Sequence, residues 1–157
     1  MLRSSKDLAK HIIYLLDKKN DEKYQPSNTK VQKLLYCYVG YCLAGDISED
    51  EIIDEIPKAW NHGPVLPKAW FMIHENKTNI LDLAIPITDL SEQENIIMNR
   101  VIDEFGQYSA SKLSDWSHID GSPWDYVYNK MDQKYDCISF NIIKNYFENI
   151  QNSINIK

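Results

Sequence analysis

The stretch that most constrains this chain is Thr29 to Leu43, TKVQKLLYCYVGYCL. Val31, Leu34, Leu35, Tyr38, Tyr41 and Cys42 recur at helical spacing and share one side of an α-helix. The opposite side changes along the helix. It begins with Lys30, Gln32 and Lys33 and continues with Tyr36, Val39, Gly40 and Leu43. A helix that turns apolar all round is one that enters the interior. Ser27 or Asn28 is placed to cap its start, and Gly45 to end it in a left-handed turn. Gly40 costs about 1 kcal/mol against alanine in a helix, so the pattern predicts another backbone passing close by. The reading is a central helix around which the others pack.

The remaining elements follow from periodicity and punctuation. Leu8, Ile12, Leu15 and Leu16 predict a helix over 5–18, capped by Ser4 or Ser5. Residues 20–28 are polar, contain Pro26 and read as a loop. The acidic stretch DISEDEIIDE, 46–55, carries Ser48 and Glu51 at capping-box spacing and predicts one or two helical turns. In IPKAWNHGPVLPKAW, 56–70, three prolines and a glycine forbid a continuous helix or strand. Trp60 is expected in an extended piece before a turn through Asn61 to Pro64, with Gly63 pushed toward extended backbone by the following proline. Pro67 opens a helix over 67–76. Residues 77–90 read as irregular, with a short strand near 79–86. Ser91 and Glu94 make a second capping box for a helix to Phe105, and Ser109 or Ser111 caps another that ends near His118. After a turn at 118–124 and a loosely structured 125–137, Ser139 caps a last helix carrying Ile143, Tyr146, Phe147 and Ile150. The expectation is a mainly α, single-domain fold over residues 1–152, with short extended pieces near 57–66 and 79–86 and a frayed tail at 153–157.

Charge and cysteine usage narrow the function classes. Residues 1–33 hold eight Lys/Arg against four Asp/Glu, whereas residues 34–157 hold nine against nineteen. A mostly acidic surface repels phosphate, which disfavours nucleic acid and favours a basic protein partner. No apolar run approaches the roughly 20 residues of a membrane span. Cys37 and Cys42 lie on the central helix and read as buried apolar residues, which suits a reducing cytoplasm.

Most catalytic signatures are missing. The five glycines are isolated, so no phosphate-cradling loop is present, and there is no GxSxG elbow. No cysteine or histidine spacing suggests a metal site, and no cofactor is expected. His62 and His118 each sit in a turn beside glycine, proline and tryptophan. With Asp115 or Asp120 they could serve acid–base catalysis; the plainer reading is that each fixes its own turn. Trp60 and Trp124, next to rigid turns, read as core. Trp70 reads as core or as an exposed anchor for a partner.

Three segments, KVQKLLYCYVGYCLAG (30–45), PKAWNHGPVLPKAW (57–70) and KLSDWSHIDGSPW (112–124), together resemble the Panacea, or SocA-like, domain. Lys33, Leu34, Leu35 and Tyr36 match its lysine–leucine–leucine–tyrosine helix. Trp60, Gly63 and Pro64, with His62 between them, match its tryptophan-to-proline turn. Leu113, His118, Pro123 and Trp124 match its third motif. Cys37 stands where the family often has a second tyrosine, Ser117 where it has threonine, and the acidic stretch looks longer than usual. The resemblance implies an antitoxin that binds a toxin encoded beside it. Toxins paired with the family include relatives of alarmone synthetases that modify tRNA, and one member type is an adaptor that presents its toxin to a protease. The expected contact surface is Glu49, Asp50, Glu51 and Asp54 with Trp70, blocking the toxin's substrate pocket. A small enzyme using His62 and His118 is the rival reading.

Overall fold

The computed structural model describes residues 1–76 and 78–150. The predicted frayed tail lies outside them. In chain order the helices are α1 (Ser5–Lys18), α2 (Asn28–Ala44), α3 (Glu49–Ile52), α4 (Pro67–Glu75), α5 (Glu92–Phe105), α6 (Ala110–Ser117), α7 (Pro123–Asp125) and α8 (Phe140–Ile150). A hairpin of β1 (Lys58–Trp60) and β2 (Gly63–Val65) lies between α3 and α4. Short 3-10 turns occupy Glu22–Tyr24 and Ile80–Leu83, so the strand expected near 79–86 is a turn of helix instead. Asn79 caps it by accepting from the Leu81 N–H, which closes the backbone before any ladder can form. The segment expected to be loose after Trp124 is wound, because α7 runs on into a π turn at Tyr126–Lys130.

The central position of α2 is confirmed. It packs against α1, α4, α5, α6, α8 and β2, and every residue from Lys30 to Leu43 is buried. Its first turn departs from expectation. Lys30, Gln32 and Lys33, placed on an outer polar side by the sequence, lie inside the protein. Burial of the whole circumference leaves them no route to water, so each finds an internal acceptor or donor. Lys30 Nζ donates to the Lys23 carbonyl at 2.6 Å.

Both ends of α2 are closed by local chemistry. Ser27 caps the start by accepting from the Lys30 N–H. At the far end Gly45 has φ −86°, not the left-handed value expected, and Asp46 takes that conformation at φ 61°. Asp46 N–H bonds the Leu43 carbonyl and Ile47 N–H the Cys42 carbonyl, which is a Schellman closure displaced by one residue. Gly40 is required by a side chain and not by a backbone. A Cβ there would stand 2.4 Å from the Phe147 ring of α8. Phe147 in turn meets Tyr36 and Tyr41 edge-on, with centroids 5.4 and 5.2 Å apart.

The other caps divide by geometry. Ser91 and Glu94 form the full reciprocal box, and Ser4 and Ser109 accept from the N–H groups of Asp7 and Lys112. Glu94 also receives the Arg3 guanidinium in two bonds of 2.9 Å. Burial alone would raise its carboxyl, but Arg3 and the Ser91 N–H outweigh that and hold it below the usual range. Ser48 makes no cap bond; its hydroxyl turns to the Asp50 carboxylate, so the capping box expected there does not form. A single-turn helix leaves little backbone to align with it.

One histidine ties a connecting segment to α1. His11 is buried, and its Nδ1 accepts from the Ile87 N–H at 3.0 Å. An acceptor nitrogen must be unprotonated, and burial pushes the imidazole below its ordinary value of 6.5.

Two measurements follow. Gly40→Ala gains about 1 kcal/mol of helix propensity but overpacks Phe147 at a cost of about 3 kcal/mol, for a net loss of about 2 kcal/mol and a drop of several degrees in Tm. Shortening the ring with Phe147→Leu should make the alanine tolerable, so the two changes couple in a double-mutant cycle; additivity would refute the contact. The neutral His11 contributes stability in full above pH 6.5, and the contribution is lost as pH falls through its lower folded-state value. The urea midpoint should therefore drop between about pH 7.5 and about pH 5.5, and drop less in His11→Gln, whose amide oxygen can still accept from Ile87. His118 shifts in the same direction, so part of the decline persists in the variant.

Candidate functional site

The three motifs meet around the β1–β2 hairpin. Register pairs Lys58 with Val65, Ala59 with Pro64 and Trp60 with Gly63, leaving Asn61 and His62 as the loop. Ala59 directs its own N–H to the Asp136 carbonyl and accepts from the Tyr135 N–H, both on the far side of β1. The Ala59–Pro64 pair thus exchanges no ladder bond, and the missing N–H of proline costs nothing there. Gly63 has φ 116°, in the left-handed half of backbone space, where the sequence suggested an extended conformation. A Cβ at Gly63 would also lie 2.8 Å from both Lys33 Cε and Ser117 Oγ. Glycine is needed for the turn and for the close approach of α2 and α6.

Three side chains from outside the hairpin bond its backbone, and a fourth bonds the residue that follows it. Lys33 Nζ donates to the Pro64 carbonyl at 3.2 Å. The Leu66 N–H donates to Gln32 Oε1 at 3.0 Å, and Gln32 is fixed by its own donation to Asn28 Oδ1. The indole N–H of Trp124 donates to the Trp60 carbonyl at 2.6 Å, and Ser114 Oγ donates to the His62 carbonyl at 2.9 Å. A serine relay backs them: Ser117 donates to the Ser114 carbonyl and Ser122 to the Ser117 carbonyl. Pro123 opens α7 and Ser122 caps it, which fixes Trp124 beneath the hairpin.

Lys33 is 1 % exposed, and its amine meets the Pro64 carbonyl and, among the described residues, no carboxylate. Burial pushes its amine down to about 8, with Cys37 pulling weakly the other way. His118 sits edge-on to Trp124, with ring centroids 4.0 Å apart, and its Nε2 is buried without a hydrogen-bond partner. Desolvation lowers its pKa first and the nearby Lys33 second, while the Ser114 and Asn61 carbonyls pull it up. The two histidines therefore meet the same hairpin in different surroundings, His62 on the exposed loop and His118 beneath Trp124. Of the carboxylates considered as their partners, Asp120 pairs with Lys130 at 3.1 Å. Leu34, Leu35 and Tyr36 are core residues. Among the described residues, no histidine, cysteine or carboxylate group of three could hold a metal ion, and no helix is long and apolar enough to cross a membrane.

The expected contact residues do not form one group: Trp70 meets Trp60 of the hairpin, with ring centroids 5.4 Å apart, whereas the carboxylates lie on and after α3. Glu49, Asp50 and Glu51 are exposed on α3. Asp54 is half-buried: it accepts from the Ser5 N–H and pairs with Lys68. Trp70 is half-buried on α4, where Asn28 Nδ2 donates to its carbonyl and His74 stacks on its ring at 4.5 Å. Sequence reasoning missed Gln32, Ser114, Ser117 and Ser122 as holders of the hairpin, and Phe71 as its exposed neighbour. Gln32 was legible in principle, since an amide inside a helix buried all round must find partners.

The profile of the family described as antitoxin SocA-like, Panacea domain, matches residues 31–125, which span α2 to α7 and contain all three motifs. The chain is similar to Antitoxin SocA of Caulobacter vibrioides (strain NA1000 / CB15N), with 32% identity over 129 residues, covering 73% of this chain and 66% of that protein. No solved structure matches the chain significantly. The match covers the elements that clasp the hairpin, and the chain belongs to the antitoxin SocA-like family.

Proposed function

We propose that this chain is the antitoxin of a toxin–antitoxin pair, acts in the cytoplasm, and neutralises its toxin by binding it and covering the toxin's substrate site. The observation that carries the reading is the family match over residues 31–125. The antitoxin among its relatives supports it. The arrangement of the motif residues supports it too. Lys33, Gly63, Pro64 and Trp124 are engaged in holding one hairpin to α2 and α7, which is the work of a scaffold. Their bonds run to backbone groups and leave recognition to the surface.

The acidic segment supplies a surface of suitable sign. Glu49, Asp50 and Glu51 point outward, whereas Asp54 and Glu55 are turned inward to cap and brace neighbouring elements. A cationic substrate-binding region on a toxin would be drawn to such a face, and steering raises the association rate more than the final affinity.

Co-expression with the product of the adjacent gene should restore growth and yield a complex recoverable by gel filtration; failure on both counts removes the reading. The triple reversal Glu49→Lys, Asp50→Lys and Glu51→Lys should leave folding intact and slow association about tenfold or more at low salt, with a smaller effect at high salt. An unchanged association rate at low salt would exclude α3 as the contact.

A further inference from the structure

Two basic side chains meet beneath the hairpin. Lys33 is buried on α2, and its amine holds the Pro64 carbonyl of β2. His118 ends α6, and its Nε2 is buried without a hydrogen-bond partner. Gly63 brings the two sites together, since a Cβ there would press on Lys33 Cε and on Ser117 Oγ, one residue before His118. His118 also touches the second grip on the hairpin. Its ring meets Trp124 edge-on at 4.0 Å, and the Trp124 indole N–H holds the Trp60 carbonyl of β1. One imidazole thus lies against the side chain that holds β1 and within the field of the side chain that holds β2.

Protonating this imidazole makes two demands. In the imidazolium Nε2 must donate, and this Nε2 is buried where no acceptor meets it. A second positive charge also enters near the Lys33 ammonium, in a buried layer where screening is weak. The groups around the ring are few. Lys33 of α2 opposes the charge, whereas Asp115 of α6 and the Asn61 and Ser114 carbonyls favour it. Burial is the largest cause, and the sum holds the imidazole below its ordinary 6.5. Asp125 of α7 is engaged by Gly121, Asn129 and Lys130. Cys37 of α2 faces the lysine, and burial pushes its thiol up, so it stays neutral. His62 is exposed on the hairpin loop.

We propose that Lys33 and His118 form a proton-sensitive latch: the layer beneath the hairpin holds one positive charge, and a proton added at His118 frees the hairpin from α2 and α7. Lys33 is the part that moves. Its amine sits on a flexible four-carbon stem, whereas His118 is fixed by the end of α6 and by the Trp124 ring. Once the amine leaves Pro64, the hairpin loses a fastener and opens locally, because two strands alone are marginal. The neutral imidazole stabilises the closed hairpin in full above pH 6.5, and that contribution is lost as pH falls through its lower value in the closed state. Lys33 stays charged throughout, since even its lowered value of about 8 lies above that range. The latch is a property of the chain alone and goes beyond toxin binding.

The test follows the full chain by NMR between about pH 7.5 and about pH 5.5. Ring resonances give the titration of each histidine. Amide hydrogen exchange, corrected for intrinsic exchange, gives the opening of each N–H. The reporters are the Leu66 N–H, bonded to Gln32, and the Ala59 N–H, bonded to the Asp136 carbonyl. Their opening should rise by up to about tenfold per pH unit, the limit for uptake of one proton. Met98 in the buried part of α5 should not follow, and the Ile87 N–H reports His11 separately. His118→Gln should make the hairpin opening independent of pH. Lys33→Met should move the His118 titration upward, because an opposing cation is gone. A wild-type His118 that titrates at or above 6.5 overturns the latch without any variant. Opening of Leu66 and Ala59 in step with Met98 overturns it too, since acid would then loosen the whole fold. An unmoved His118 in a folded Lys33→Met refutes the pairing; where that variant does not fold, the wild-type titration and His118→Gln still decide.

Discussion

The structure depends on α2 being buried around its whole circumference. That burial supplies the core, with Leu34, Leu35, Tyr38 and Val39 excluded from solvent. It also forces a solution for three polar side chains at the start of the helix. Lys33 is the extreme case. Its amine is lowered from 10.5 to about 8, equivalent to roughly 3 kcal/mol of unfavourable burial. The cost is offset in part because the amine reaches the Pro64 carbonyl, and Gln32 receives the Leu66 N–H one residue beyond β2. Polar groups that are costly to bury therefore become the fasteners of the hairpin. Replacing them with apolar residues could raise stability while leaving the hairpin's position undefined, the trade seen where buried polar groups specify one arrangement.

Fixing the hairpin has a consequence at the surface. A two-strand hairpin is marginal by itself. This one is held by α2 at Pro64 and Leu66, by α6 at His62, by α7 at Trp60, and by the 135–138 segment along the outer edge of β1. Because β1 is placed so firmly, the Trp60 ring is too, and it meets Trp70 of α4 edge-on at 5.4 Å. The buried motif and the Trp60 ring belong to one piece of backbone. Changes to the motif would reach a partner through the hairpin's position.

What could be read in the sequence follows the range of the forces involved. The helices α1, α2, α5, α6 and α8 were legible because their apolar period and their serine caps are local signals. The hairpin was legible from its prolines and glycine. Three of the misreadings share a cause: local rules were overruled by distant neighbours. Lys30, Gln32 and Lys33 look like an outer face until the hairpin and Lys23 are brought against them. Gly63 looks like an ordinary pre-proline residue until α2 and α6 press on it. Gly40 announces a close approach, but only the fold identifies Phe147 as the neighbour. The motif residues were found through the resemblance; their roles as hairpin fasteners needed coordinates.

The acidic stretch shows how little a charge run says before its geometry is known. In sequence, Glu49, Asp50, Glu51, Asp54 and Glu55 form one block. In space the block splits. Asp54 accepts from Ser5 N–H at the start of α1, and Glu55 accepts from two N–H groups at the start of α4. Both carboxylates are thus held against helix N-termini, where the partial positive charge favours them. They are part of the scaffold. Glu49 and Asp50 are exposed on α3 and, among the described residues, meet no such helix start.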